Sequence, residues 1–109
     1  MRFCPWYPLA SAAAHAPADE GVLQVRVAEG LLDYPRGKTA MVHYEHAHDV
    51  RARALALAAA HVGAPVLWCR HLDLEGARGV DLAAFHTGVL AEFVRRFGCA
   101  PSFEYAHRP

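Results

Sequence analysis

Residues 22–27, Val-Leu-Gln-Val-Arg-Val, alternate along their length, with Leu23, Val25 and Val27 on one side of an extended chain and Gln24 and Arg26 on the other. A period of two marks a β-strand with two unlike faces, and Gly30 closes it. The cluster Asp33-Tyr34-Pro35-Arg36-Gly37 then turns the chain, and residues 39–44 form a second strand, so the two pair as an antiparallel hairpin across a long loop. Asp49 caps a helix running to about His61, where Gly63 and Pro65 stop it. Val66 to Arg70, holding Trp68, is a short third strand, and residues 72–80 read as a surface loop. From Asp81 a second helix carries Leu82, Phe85, Val89, Phe93 and Phe97 on one face and ends at Gly98 and Pro101.

The order β-β-α-β-α predicts an α+β domain, a small antiparallel three-stranded sheet with two main helices packed on one of its faces. Residues 1–20 read as an N-terminal lead-in with a short helix over Leu9 to Ala16, residues 21–105 as the single domain and 106–109 as a tail. With 109 residues, 54% hydrophobic and 20% charged, the chain suits one core. Eleven Lys and Arg balance eleven Asp and Glu, so a polyanion partner has to be held by a local patch rather than by net charge. The three cysteines, Cys4, Cys69 and Cys99, are widely spaced and form no metal or disulfide motif. Pro5 and Pro8 interrupt the apolar opening that would otherwise resemble a signal peptide, and no run approaches the ~18 apolar residues of a membrane span. A cytoplasmic protein with reduced thiols and no membrane association is expected.

The densest chemistry lies at His43-Tyr44-Glu45-His46-Ala47-His48-Asp49. Imidazoles and carboxylates together suit Zn or Mn, but strand alternation sends His43 and Glu45 to one face while His46 and His48 sit in the turn. The group reads either as metal donors or as solvated turn histidines. Arg51 and Arg53 point different ways on the helix, and one of them could meet a phosphate bidentately or simply cover apolar surface. His86 lies beside Phe85 on the seam of the last helix, where it is either a satisfied core residue or a ligand. Gly37-Lys38-Thr39 is no phosphate-binding loop, because Leu32 stands where that motif needs glycine and a strand follows instead of a helix.

The layout, with Gly21-Val22-Leu23 opening the first strand, His43-Tyr44-Glu45 in the second, Asp49-Val50-Arg51-Ala52-Arg53 opening a helix and Leu90 to Gly98 closing another, resembles the GIY-YIG nuclease domain over residues 21–103. That resemblance implies a metal-dependent phosphodiesterase acting on DNA. Leu23 falls where the family has its first tyrosine, His43 where the second tyrosine helps activate water, Arg53 on the catalytic arginine and His86 on the metal-binding glutamate. It therefore implies one divalent metal, Mn or Zn in preference to Mg, held by His86. His43 would be the general base, Arg53 the phosphate clamp, and Glu45, His46, His48 and Arg51 accessories. The losses at the tyrosine and glutamate positions equally suit a catalytically inactive binding or interaction module on the same scaffold.

Overall fold

The structure, a computed structural model, describes residues 1–63 and 65–107. Strand β1 is Arg2–Phe3 and β2 is Tyr7–Pro8, followed by a 3-10 turn over Leu9–Ser11 and the single-turn helix α1, Ala12–His15. Strand β3 is Gly21–Val27, β4 Leu32–Tyr34, β5 Gly37–Thr39 and β6 Met41–Ala47. Helix α2, Val50–Ala60, leads to β7, Leu67–Asp73, and then to α3, Leu82–Phe97, before a closing 3-10 turn at Phe103–His107. Among the described residues no helix is long and apolar enough to cross a membrane.

The chain is α+β and its sheets are antiparallel. Strand β3 lies at the centre, bonded to β6 on one side and β7 on the other, with Gln24 opposite both Tyr44 and Arg70. Three long strands thus form the expected sheet, but the lead-in widens it to five. Strands β1 and β2 pair with β7, placing Phe3 opposite Leu72 and Tyr7 opposite Cys69. Tyr7, Leu9, Ala12 and Ala16 are all buried, so the opening residues supply apolar area that a three-stranded sheet would have to leave wet. The loop after β3 folds into its own hairpin, β4 with β5, turned by Pro35 and Arg36.

The two helices lie on opposite faces of the sheet, which corrects the expectation that both cover one. Leu23, Val25 and Val27 pack with Val50, Ala54 and Leu57 of α2, whereas Val22 and Leu72 pack with Leu82 and Phe85 on the α3 side. The reason lies with Gln24, on the strand face opposite Leu23, Val25 and Val27. It is buried on the α3 side because Arg70 Nε donates to its Oε1 at 2.8 Å, so a satisfied amide replaces solvent there. Both helices start as expected: Asp49 Oδ1 accepts the Ala52 N–H and Asp81 Oδ1 the Ala84 N–H, each at 3.0 Å. At the far end of α3, Gly98 adopts φ +90° and the Phe97 carbonyl accepts the Arg36 N–H at 3.1 Å, which ties the β4–β5 turn to the helix C-terminus.

Gly21 is required for a packing reason. A Cβ added there would meet Val50 Cγ2 at 2.8 Å, and Val50 is a buried, β-branched residue in the first turn of α2 with little rotamer freedom to yield. Gly21→Ala therefore lowers the unfolding free energy by about 1 to 3 kcal/mol. Urea denaturation checks this, and a midpoint equal to that of the parent chain would show that α2 moves aside freely.

Candidate functional site

Two groups of side chains on opposite faces of the sheet compete for the functional role. On the α2 face, alternation along β6 places His43 and Glu45 together, and Arg53 reaches them from the first turns of α2. His43 Nε2 donates to Glu45 Oε1 at 2.7 Å, and Arg53 grips the same carboxylate through Nε on Oε2 and Nη2 on Oε1, the latter at 3.0 Å. Burial alone would push the Glu45 carboxyl up, but the hydrogen bonds and charges of Arg53 and His43 outweigh it and hold it below the usual glutamate value. The His43 ring stacks on Phe103, which also stacks on His61 at 3.8 Å between ring centroids. Burial, reinforced by His107 and His43, holds His61 below the ordinary imidazole value.

Because the folded-state value of Glu45 is depressed, its contribution to stability is complete above the unfolded glutamate value and disappears as pH falls through the folded one. Arg53→Ala raises the Glu45 value towards normal and, since Arg53 is largely exposed, costs less than about 1 kcal/mol at neutral pH. Titration of the Glu45 side-chain carbonyl resonance in the two proteins checks the direction. An unmoved midpoint would mean that the pair is solvated.

The other residues singled out by the sequence do not join this group. His86, on α3, donates from Nε2 to the Tyr44 carbonyl at 3.3 Å, reaching β6 from the side opposite Arg53. His46 continues strand β6 instead of lying in a turn, because Val22 pairs with it, and its Nε2 donates to Glu20 Oε2 at 3.0 Å. His48 is exposed, with its ring 6.4 Å from that of His46. Arg51 Nε donates to the Ala16 carbonyl at 2.8 Å, so this arginine ties the N-terminal segment to α2. Among the described residues no three His, Cys, Asp or Glu side chains converge in a way that could hold a metal ion. The donor set implied for a catalytic metal therefore does not fit: the imidazole that would hold it is bonded to backbone on the other side of the strand from the base and the arginine.

On the α3 face the sheet presents a different chemistry. Arg26 and Arg70 are diagonal neighbours on β3 and β7, and both guanidinium carbons lie over the Trp6 ring, 4.5 and 4.4 Å from its centroid. Arg70 also lies 4.5 Å over Phe3. Trp68, opposite Arg26, lines an adjoining cavity of about 580 Å³ with Ala28, Glu29, Pro65 and Val66. Arg26 Nε is buried and has no hydrogen-bond partner, and among the described residues neither Arg26 nor Arg70 has an ion-pair partner. Burial pulls the Arg70 guanidinium below its ordinary value and Arg26 adds to that, with Tyr44 opposing, so positive charge there lacks compensation.

Sequence reasoning reached His43, Glu45 and Arg53 but missed this cationic face. Alternation in residues 22–27 already placed Arg26 apart from the apolar face, yet its neighbours Arg70 and Trp6 come from segments whose register no local pattern reveals. No family model, curated protein or solved structure matches the chain.

Proposed function

We propose that this chain is a GIY-YIG-like scaffold that binds DNA without cutting it, through the sheet face bearing Arg26, Arg70 and Trp6. The observation that carries this reading is the state of the arginines. Arg53, which a phosphodiesterase would need at the reacting phosphate, spends Nε and Nη2 on Glu45, whereas Arg26 and Arg70 lie side by side on the opposite face over one tryptophan, with no carboxylate paired to either among the described residues. Arg26 Nε is buried, so a phosphate would meet the two guanidiniums through their terminal nitrogens, and charge-assisted bonds of this kind are the strong ones. Trp6 and Trp68 add stacking surfaces beside the two cations, the combination that holds single-stranded nucleic acid with little sequence preference.

Support for a GIY-YIG-like ancestry comes from the antiparallel hairpin of β3 and β6, followed by α2, and from His43 and Arg53, two of the positions that the resemblance places in the site, which meet on the Glu45 carboxylate. Against retained hydrolysis stand the placement of His86 and the enclosure of Leu23, which is fully buried.

The test is fluorescence anisotropy of a labelled single-stranded oligonucleotide with the full chain at low salt, beside incubation of supercoiled plasmid with Mg, Mn or Zn. Binding that is lost in the Arg26→Gln, Arg70→Gln double variant and kept in Arg53→Ala, with plasmid intact throughout, is the expected result. Absence of binding, or binding indifferent to the double variant, overturns the assignment of the face. Cutting abolished by Arg53→Ala overturns the non-hydrolytic reading and restores the phosphodiesterase.

A further inference from the structure

The three cysteines stand in three settings. Cys69 is fully buried in β7, and burial, with a smaller push from Cys4 and against the hydrogen bond from Tyr7, drives its thiol up to about 11. Cys99 follows α3, with its Sγ 3.3 Å from Tyr105 Oη. Cys4 is half-buried between β1 and β2 and is held against His71 by the main chain, since the Cys4 N–H donates to the His71 carbonyl at 2.9 Å. The return contact is to sulfur: the His71 backbone N–H donates to Cys4 Sγ at 3.3 Å, and His71 Nδ1 lies 3.4 Å from the same atom.

Tyr7 Oη lies 2.9 Å from that ring nitrogen, and burial, the largest influence on it, keeps Tyr7 a phenol at any physiological pH. Burial likewise holds the His71 imidazole below its ordinary value, with Asp73 opposing and His15 assisting, so the ring rests uncharged and takes up a proton only as a weak base. Cys4, Pro5, Trp6, Tyr7, His15 and His71 line a cavity of about 350 Å³. It contains no carboxylate or guanidinium, so it admits a small uncharged reactant more readily than an ion.

We infer that Cys4 and His71 form a nucleophilic thiol–imidazole pair at which a hydroperoxide is reduced and Cys4 is oxidised to the sulfenic acid. The thiol proton passes to His71 Nδ1 and the sulfur attacks the nearer peroxide oxygen. The S–O bond forms as the O–O bond breaks, and the departing hydroxide or alkoxide takes the proton back to leave as water or alcohol. Sulfur loses two electrons and the peroxide gains them. The backbone N–H of His71 holds the thiolate in place during the transfer, and the Tyr7 hydroxyl is the donor at hand for the leaving oxygen. This site shares Trp6 with the Arg26 and Arg70 face but uses neither guanidinium, and its test does not depend on DNA.

The full chain is treated with hydrogen peroxide, sulfenic acid is trapped with dimedone, and each cysteine is followed by mass spectrometry. In the folded protein Cys4 is expected to react at least about tenfold faster than Cys99, an advantage that vanishes in urea. His71→Gln, confirmed folded by circular dichroism, is expected to remove most of that advantage. Equal rates at Cys4 and Cys99 in the folded chain, or an unchanged Cys4 rate in the variant, overturn the inference. If the variant does not fold, the wild-type comparison decides: a folded-state advantage that urea abolishes sustains the pair, and no advantage rejects it.

Discussion

Shortening Leu23 to alanine is expected to lower the unfolding free energy by about 3 to 5 kcal/mol, the upper range for a buried leucine. Leu23 is fully buried on the central strand, with β6 and β7 bonded on either side of it and the Val50, Ala54 and Leu57 face of α2 packed against it. Backbone on both sides restrains collapse, so the lost methyl groups leave a cavity that neighbours cannot fill, and the cost exceeds simple transfer. Against a total stability of roughly 5 to 15 kcal/mol this is about a fifth of the fold or more. In urea the midpoint should fall with the slope unchanged, and a loss below about 1 kcal/mol would mean that the sheet relaxes around the site.

The same position tests the ancestry. Leu23→Tyr restores the residue that the GIY-YIG resemblance implies, yet here the phenol would enter a sealed core. Overpacking and an unpaired hydroxyl are expected to cost about 1 to 3 kcal/mol and to produce no plasmid cleavage with any metal. Cleavage by this variant would show that one substitution separates the chain from an active nuclease.

The second large effect concerns the cationic face. Replacing Arg26 and Arg70 together with glutamine is expected to weaken single-stranded DNA binding roughly 30- to 150-fold at low salt, as losing about 2 to 3 kcal/mol of charge-assisted hydrogen bonding would. The two losses are not additive, because both guanidiniums share Trp6. Two fewer phosphate contacts also flatten the salt dependence, by about 1.4 in the slope of log affinity against log salt for a single strand. A uniform drop with the slope unchanged would place the phosphate contacts elsewhere. Quenching of tryptophan fluorescence by the oligonucleotide, reduced in Trp6→Phe, where Trp68 alone remains, is the accompanying observation.

Residues 22–27 show how far local pattern reaches. Alternation by itself established an extended strand, and Asp49, Asp81 and Gly98 marked helix ends that the structure places within a residue, because caps and periodicity are written in neighbouring residues. The proximity of His43 and Glu45 followed from the same arithmetic, since residues two apart on a strand share a face. What local pattern does not show is that Gln24 is buried: its partner, Arg70, lies opposite it only in the folded sheet, so a second covered face is not legible from residues 22–27.

Everything that depends on register between distant segments was decided by the tertiary structure alone. Cys4 meets His71 across 67 residues, Arg26 meets Trp6 and Arg70, and His86 is turned to a backbone carbonyl rather than to His43 and Arg53. The physical reason is that these encounters follow from strand pairing and apolar burial over the whole chain. Local residue preferences bias each segment, but the burial that fixes the register belongs to the sheet and its two covered faces.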